Sequence, residues 1–453
     1  MKRNAVVSMG VAAAVSLSLC LSAARGGDSA SGDEPLPPEP LQVNYESGQG
    51  YGDLAECRPG EIIVQFDPNV LPTERHQIVQ DHGCLIARTS DLGDFHLVRI
   101  PATTTPEDMV DFFGQHEHIR YAELNYYVRA TFVPDDKLYS YQWNFANAVT
   151  GGIHMDEAWT IEEGDPNVVV AVVDTGVAYE NYGGYTQAPD LAETRFVPGY
   201  DFVHDNNHPN DDNGHGTHVT GTIAQSTNNG IGVAGVAFRC SIMPVKVMDS
   251  DGLGDVFTVS QGILFAVNHG ARVINLSFGS PQPSTTLRNA VQTAYQKGVT
   301  VVAAAGNDGA RGNPPSYPAA YTSYCIAVGA VRYDLSRARY STKGSYISVV
   351  APGGDVTVDQ NADGYPDGIL QQTFDDDPSV FAYWFFQGTS MASPHVAGLA
   401  ALLASHGVTS PDQIRKAIET TARDLGPEGW DPEYGWGMID AHAALTASSV
   451  AMP

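Results

Sequence analysis

Apolar and polar positions follow two different rhythms along the 453-residue chain. From Glu61 onward, short alternating runs lie between stretches of helical period. The pattern predicts strands at Glu61–Phe66, Leu85–Ala87, His96–Ile100 and from Ile119, with helices at Leu71–His82 and Pro106–Gln115. That order is a small α+β unit of ferredoxin-like βαββαβ type. After Trp143 the apolar runs become nearly continuous. Val168–Val173, Ser241–Val247, Val273–Leu276, Val299–Ala304 and Cys325–Val331 alternate with helical stretches such as Val256–Asn268 and Thr286–Lys297. Strands apolar on both faces and separated by helices predict a doubly wound, mostly parallel α/β sheet. In such a sheet the ligand site lies beyond the carboxyl ends of the strands.

The extreme N-terminus departs from both rhythms. Lys2 and Arg3 precede an apolar stretch from Ala5 to Leu21, followed by Ser22, Ala23 and Ala24, the layout of a secretory signal peptide over residues 1–24. Secretion is therefore expected, with no membrane span left after cleavage. Cys20 faintly resembles a lipoprotein acceptor, but Leu19 stands where that pattern wants a small residue. Residues 25–56 are rich in Pro, Gly, Ser and acids and read as a linker. The first folded unit then spans 57–130 and the second 137–447.

Charge narrows the partners. With 52 acidic and 24 basic side chains the formal net charge is -28, which disfavours nucleic acid and anionic lipid and favours cations. Beyond the signal stand Cys57, Cys84, Cys240 and Cys325. Four cysteines allow three pairings, and free buried thiols are an equal alternative for Cys240 and Cys325.

Candidate chemistry sits where the strands end. Asp174, Thr175 and Gly176 follow Val168–Val173, placing a carboxylate where it could orient a histidine. An Asp-Thr-Gly triplet also suggests an aspartic protease, but no second copy supplies the required partner carboxylate. His215 lies between Gly214 and Gly216, which permit close approach of a substrate backbone, so it is the candidate base. His218, one turn on, is expected to pack or orient; zinc binding by the pair lacks the HExxH carboxylate and a third ligand. Ser390, in the run GTSMASPHVAG from Gly388 to Gly398, opens an apolar helix, where backbone N–H groups favour developing negative charge. Ser390 is the candidate nucleophile.

These three segments, in the order Asp, His, Ser, resemble the subtilisin-like (S8) serine peptidase family from about Gln142 to Ala444. The resemblance implies an endopeptidase in which His215 takes the Ser390 proton, Asp174 holds the imidazole, and Asn307, in the segment AAAGN, completes an oxyanion hole. It also implies that Ser277, Phe278 and Gly279 bind polypeptide substrate as an added strand, with Gly252, Leu253 and Gly254 opposite. Ala304, Gly306 and Ser316 would line a small, uncharged S1 pocket favouring apolar P1 residues. Met391, beside the nucleophile, would make activity sensitive to oxidation. The unit from Cys57 to about Val128 resembles the family's inhibitory propeptide, with Tyr121–Tyr127 as its tail, so processing is expected between Val128 and Lys137. A monomer is the family expectation.

Calcium is the expected cofactor. Asp359, Asn361, Asp363, Gly364, Tyr365 and Asp367 fall at positions 1, 3, 5, 6, 7 and 9 of an EF-hand-like loop, although Leu370 replaces the usual glutamate at position 12. A second site, implied by the resemblance alone, would use Gln142, Asp190, Asn229 and the backbone of Ile231 and Val233. Three rival readings are weighed against the peptidase. An idle relative would not need the full set of Asp, His, Ser and Asn; a transpeptidase would need a barrier to water, of which the sequence shows none; an esterase would carry a GxSxG elbow and a different residue order.

Overall fold

The computed structural model describes residues 57–126, 132–146 and 151–450, with side chains described to residue 448. The expected signal peptide, the linker and residues 128–131 of the expected processing stretch lie outside the described residues.

The described chain divides into two compact units. In the first, β1 (Cys57–Phe66), α1 (Pro72–Gln80), β2 (Leu85–Thr89), β3 (His96–Arg99), α2 (Pro106–Gly114) and β4 (Ile119–Tyr126) follow one another as the alternation predicts. The strands form a sheet in the order β2-β3-β1-β4, all neighbours antiparallel. Ile62, Val64 and Phe66 point alternately inward from β1 and meet Val79 of α1, Val98 of β3, and Met109 and Phe113 of α2. Thr105 caps α2 by accepting from the Asp108 N–H, and Pro106 fills the first turn, where no donor is needed. This is the ferredoxin-like arrangement expected from the sequence.

The second unit begins with a short helix α3 (Met155–Ala158), then β5 (Val169–Asp174), β6 (Arg195–Phe196), β7 (Tyr200–Asp201), α4 (His215–Ala224), β8 (Ser241–Lys246), α5 (Val256–Asn268), β9 (Val273–Leu276), α6 (Thr285–Gln296), β10 (Thr300–Ala304), β11 (Cys325–Val331) and β12 (Val349–Pro352). These strands form one parallel sheet, order β12-β11-β10-β9-β5-β8-β6, with β7 also on β8. Side chains alternate between two cores. Val170 and Val172 of β5 join one, Ala171 and Val173 the other, so each face of the strand must be apolar. Helices α5 and α6 cover one face through Val259, Ile263, Leu287 and Val291. The other face holds α4 and, later in the chain, α7 (Thr389–Ser405).

Between them the chain forms a two-stranded hairpin, β13 (Ile369–Thr373) and β14 (Ala382–Phe386), and it finishes with α8 (Pro411–Thr420) and α9 (Ala441–Val450). The hairpin was not anticipated. The β13 residues are all buried, partly against α4, while those of β14 are mostly half-buried, so the pair lacks the half-polar alternation that marks an exposed hairpin. Strand β5 is flanked by β8 on one side and β9 on the other, because the chain runs first to the outer strand β6, returns through β8, and then crosses to β9. Asp174 therefore ends a strand at the sheet's topological switch point.

Candidate active site

Asp174, the last residue of β5, is fully buried, and its Oδ1 accepts hydrogen bonds from His215 Nδ1 at 2.7 Å and from the Thr175 N–H at 2.8 Å. Accepting from Nδ1 fixes the imidazole tautomer and leaves Nε2 as the basic nitrogen. His215 opens α4. Gly214, at φ 93°, supplies the left-handed turn into the helix, and a Cβ on Gly216 would lie 2.1 Å from the Gly176 carbonyl, so the strand end and the helix start touch only because residue 216 is glycine. Burial opposes the imidazolium, but the carboxylates of Asp174 and Asp211 outweigh it and hold the His215 pKa above the ordinary histidine value.

Ser390 lies in the first turn of α7, which packs against α4. Pro394 has no N–H to give the Ser390 carbonyl, the bond an unbroken helix would make. Ser277 Oγ supplies it instead, at 2.8 Å, while Ser390 Oγ donates to the Ser277 carbonyl at 2.8 Å. The loop after β9 is thus clasped to the turn that holds Ser390. In this rotamer Ser390 does not bond His215.

Asn307, beyond the end of β10, accepts from both the N–H and the hydroxyl of Thr389 through Oδ1, each at 2.9 Å. A backbone N–H can meet only the amide oxygen, so the Asn307 Nδ2 must face the other way. It does so beside Gly388: a Cβ built there would lie 3.4 Å from Asn307 Nδ2 and 3.6 Å from the Ser390 nitrogen. Two donors thus border one small space next to Ser390. This space adjoins a cavity of about 220 Å³ lined by Phe278, Gly279, Ala304, Gly306, Ser316 and Ser390, among others. A Cβ on Gly279 would sit 2.0 Å from Ser316 Oγ, so this wall too needs glycine. Ser277 is committed to Ser390, and Gly252, Leu253 and Gly254 form a turn outside the cavity. Leu253 is 68% exposed there, and the turn is tied to the histidine loop by Asn213 Nδ2 donating to the Ser250 carbonyl at 2.9 Å.

A hydrogen-bonded Asp–His pair with a buried carboxylate, a helix-borne serine and two donors beside that serine are thus in place. Residues 165–437 match the profile of the subtilase family. The chain belongs to the subtilase family. Residues 53–125 of this subtilase match the fervidolysin N-terminal prodomain. A thermophilic serine proteinase of Bacillus sp. (strain AK1) is 36% identical over 451 residues, covering 98% of this chain and 100% of that one. Thermitase of Thermoactinomyces vulgaris is 40% identical over 293 residues, 65% of this chain and 93% of its own. Among solved structures, a protease of Pseudoalteromonas arctica PAMC 21717 superposes with a TM-score of 0.59 at 33% identity, over 70% of this chain and 99% of that one. The subtilase is a serine endopeptidase with a prodomain.

The residues expected to hold calcium are differently disposed. Among the described residues no three carboxylate, imidazole or thiol groups converge as a metal site. In the EF-like loop, Asp359, Asn361 and Asp363 accept from backbone N–H groups within the loop. Asp367, 1% exposed, keeps one oxygen without a partner, and burial together with Asp359 and Asp363 pushes its pKa up to about 6. In the second group, Asp190 is fully buried, accepts from Asn229 Nδ2 and the Val233 N–H, and is pushed up to about 7 by burial and by Asp136. Gln142 is held at Ala234, its Oε1 accepting from the Ala234 N–H at 2.7 Å and its Nε2 donating to the Ala234 carbonyl at 2.9 Å. Asp136 joins Asp190 in that group, buried, with an unpartnered Oδ1. Asp135 and Asp136 are an adjacent acidic pair in an extended segment, and nothing in that pair alone marks Asp136 as the one that meets Asp190.

The remaining candidates are structural. His218 is buried, donates from Nε2 to the Ile369 and Trp384 carbonyls of the hairpin, stacks on Phe386, and is driven by burial down to about 3. His395 bridges Asn144 and the Met391 carbonyl and is lowered to about 4 by burial. All four described cysteines are free, and burial pushes Cys240 and Cys325 up to about 11 and about 12.

Proposed function

We propose that Asp174, His215 and Ser390 form the triad of a secreted zymogen that hydrolyses peptide bonds through an acyl-enzyme. The observation that supports this most is the 2.7 Å bond from His215 Nδ1 to a fully buried Asp174, at the switch point of the sheet and beside the helix that carries Ser390. In this reading Ser390 rotates toward His215 when substrate enters. Nε2 takes the hydroxyl proton as Oγ attacks the peptide carbonyl, and Asp174 stabilises the imidazolium. Asn307 Nδ2 and the Ser390 N–H hold the oxyanion. Collapse of the adduct passes the proton to the leaving amine, and water repeats the sequence to free the acid. Gly279, Ala304, Gly306 and Ser316 form the S1 walls; Phe278, Pro314 and Pro315 add apolar surface for an apolar P1 side chain, while Asn307, Asp308 and Thr342 make the rest of the cavity polar.

Residues 1–24 act as the signal peptide in this reading, 25–56 as a linker and 57–130 as the inhibitory propeptide of the 137–447 catalytic domain. Calcium suits both acidic groups, since each holds a buried carboxylate oxygen with no partner. Asp359, Asn361, Asp363, Asp367 and the Tyr365 carbonyl would hold one ion; Asp136, Asp190, Asn229 and the Ile231 and Val233 carbonyls would hold the other. Bound there, calcium supplies charge neutralisation and loop rigidity. Incubating the precursor beside a Ser390→Ala control, with N-terminal sequencing, tests the whole reading. The wild type shortens to a start between residues 128 and 137 and the control does not; identical fates for both would contradict it.

A further inference from the structure

Asp211 has no part in the triad, yet few side chains in the described structure are so thoroughly engaged. It is fully buried and accepts five hydrogen bonds. Its Oδ1 receives the Thr175 hydroxyl at 2.8 Å, the Asn213 N–H at 3.1 Å and the Gly214 N–H at 3.0 Å. Oδ2 receives the Thr217 N–H at 2.9 Å and its hydroxyl at 2.6 Å. These donors come from two places only. Thr175 follows Asp174 at the end of β5; the others bracket His215 at the start of α4. Thr175 Oγ1 also accepts from the Gly216 N–H at 2.9 Å, so a relay runs from the histidine's own helix through Thr175 into Asp211.

We propose that Asp211 is a positioning residue for the peptidase reaction: it locks the strand end bearing Asp174 to the helix start bearing His215 and sets a second negative charge toward the imidazole. Plain structural bookkeeping would need only the three backbone donors of the turn and the helix. The Thr175 hydroxyl crosses to the other triad-bearing element, and that crossing ties the two partners into one rigid body. The charged groups facing His215 are Asp174 and Asp211; His218, the nearest imidazole, is held neutral by burial. The neighbouring Asp212 is paired with buried Lys246, whose ammonium also donates to the Thr175 carbonyl at 2.6 Å. Asp211 has no cationic partner among its hydrogen bonds, so its charge is left to act on the imidazolium that forms during turnover.

The inference rests on Asp174, His215 and Ser390 being the triad, and the test separates the two. Each variant chain is matured by resin-bound wild-type enzyme, and the rate of Ser390 labelling by a fluorophosphonate is followed against pH. Asp211→Asn removes the charge: labelling should slow on the order of 10- to 100-fold, and the acid limb of the profile should move down by about one pH unit. Thr175→Val keeps the charge and cuts the relay: labelling should slow with the limb unmoved, and Thr175→Ser should restore it. A limb that stays in place for Asp211→Asn, with only a uniform loss, would overturn the electrostatic part. Should Asp211→Asn fail to fold, the threonine pair decides: equal rates for the valine and serine variants would overturn the positioning role. Failure of wild-type enzyme to label at all would instead strike the triad assignment.

Discussion

Because Thr389 takes the Asn307 carbonyl oxygen, the amide nitrogen is aimed at the space beside Ser390. Asn307→Ala should lower kcat on the order of 10² to 10³, a range set by a relative in this same family, with KM little changed. Steady-state kinetics on a peptide amide would check it; an equal change in KM and none in kcat would mean the amide contacts bound substrate rather than the oxyanion. The pH dependence follows from His215. Its pKa is raised, so the imidazole loses its proton above the ordinary value of 6.5, and the acid limb of kcat/KM should lie above pH 6.5. Met391 is only 2% exposed, so its oxidation, and the activity loss expected from it, should proceed slowly and be followed by mass spectrometry against residual activity.

At the scale of elements, α7 carries Ser390 on a helix of small residues that lets it run buried beside the sheet. A Cβ on Gly398 would fall 2.6 Å from the Val236 Cβ, so Gly398→Ala should cost about 1–3 kcal/mol of stability, measured by denaturant unfolding of the Ser390→Ala background. The carboxylates around Asp190 give a pH signature. Its folded pKa, about 7, is raised above the carboxylate value of 3.8, so its contribution to stability is fully present below pH 3.8 and is lost as pH rises toward 7. With a chelator, Tm should therefore fall across that window; added calcium should flatten the fall, and no difference between the two series would remove the ion from the account. The strands and helices that carry Asp174, His215 and Ser390 were legible in sequence because both-face burial and helical period are local signals. The β13–β14 hairpin was not, since β13 is buried on both faces by distant segments such as α4 and so shows no alternation.

Over the whole molecule, a net charge of -28 sets acidic groups against one another, so raising salt, which shortens the screening length from about 30 Å at 0.01 M to about 8 Å at 0.15 M, should raise Tm. A calorimetric series in sodium chloride without calcium would show it. Motif order made the site legible: three short segments, each at a strand end or helix start, named Asp174, His215 and Ser390. What stayed hidden depends on contacts between distant segments. Asp136 meets Asp190, and Asp211 meets Thr175, only after the sheet has formed, and Gln142 turned its oxygen to Ala234 for the same reason. The most direct test of the account is to label the purified protein and its Ser390→Ala variant with a fluorophosphonate and map the modified peptide. The account predicts one label, on the peptide bearing Ser390, in the wild type alone; equal labelling of the variant, or none of the wild type after removal of residues 1–130, would contradict it.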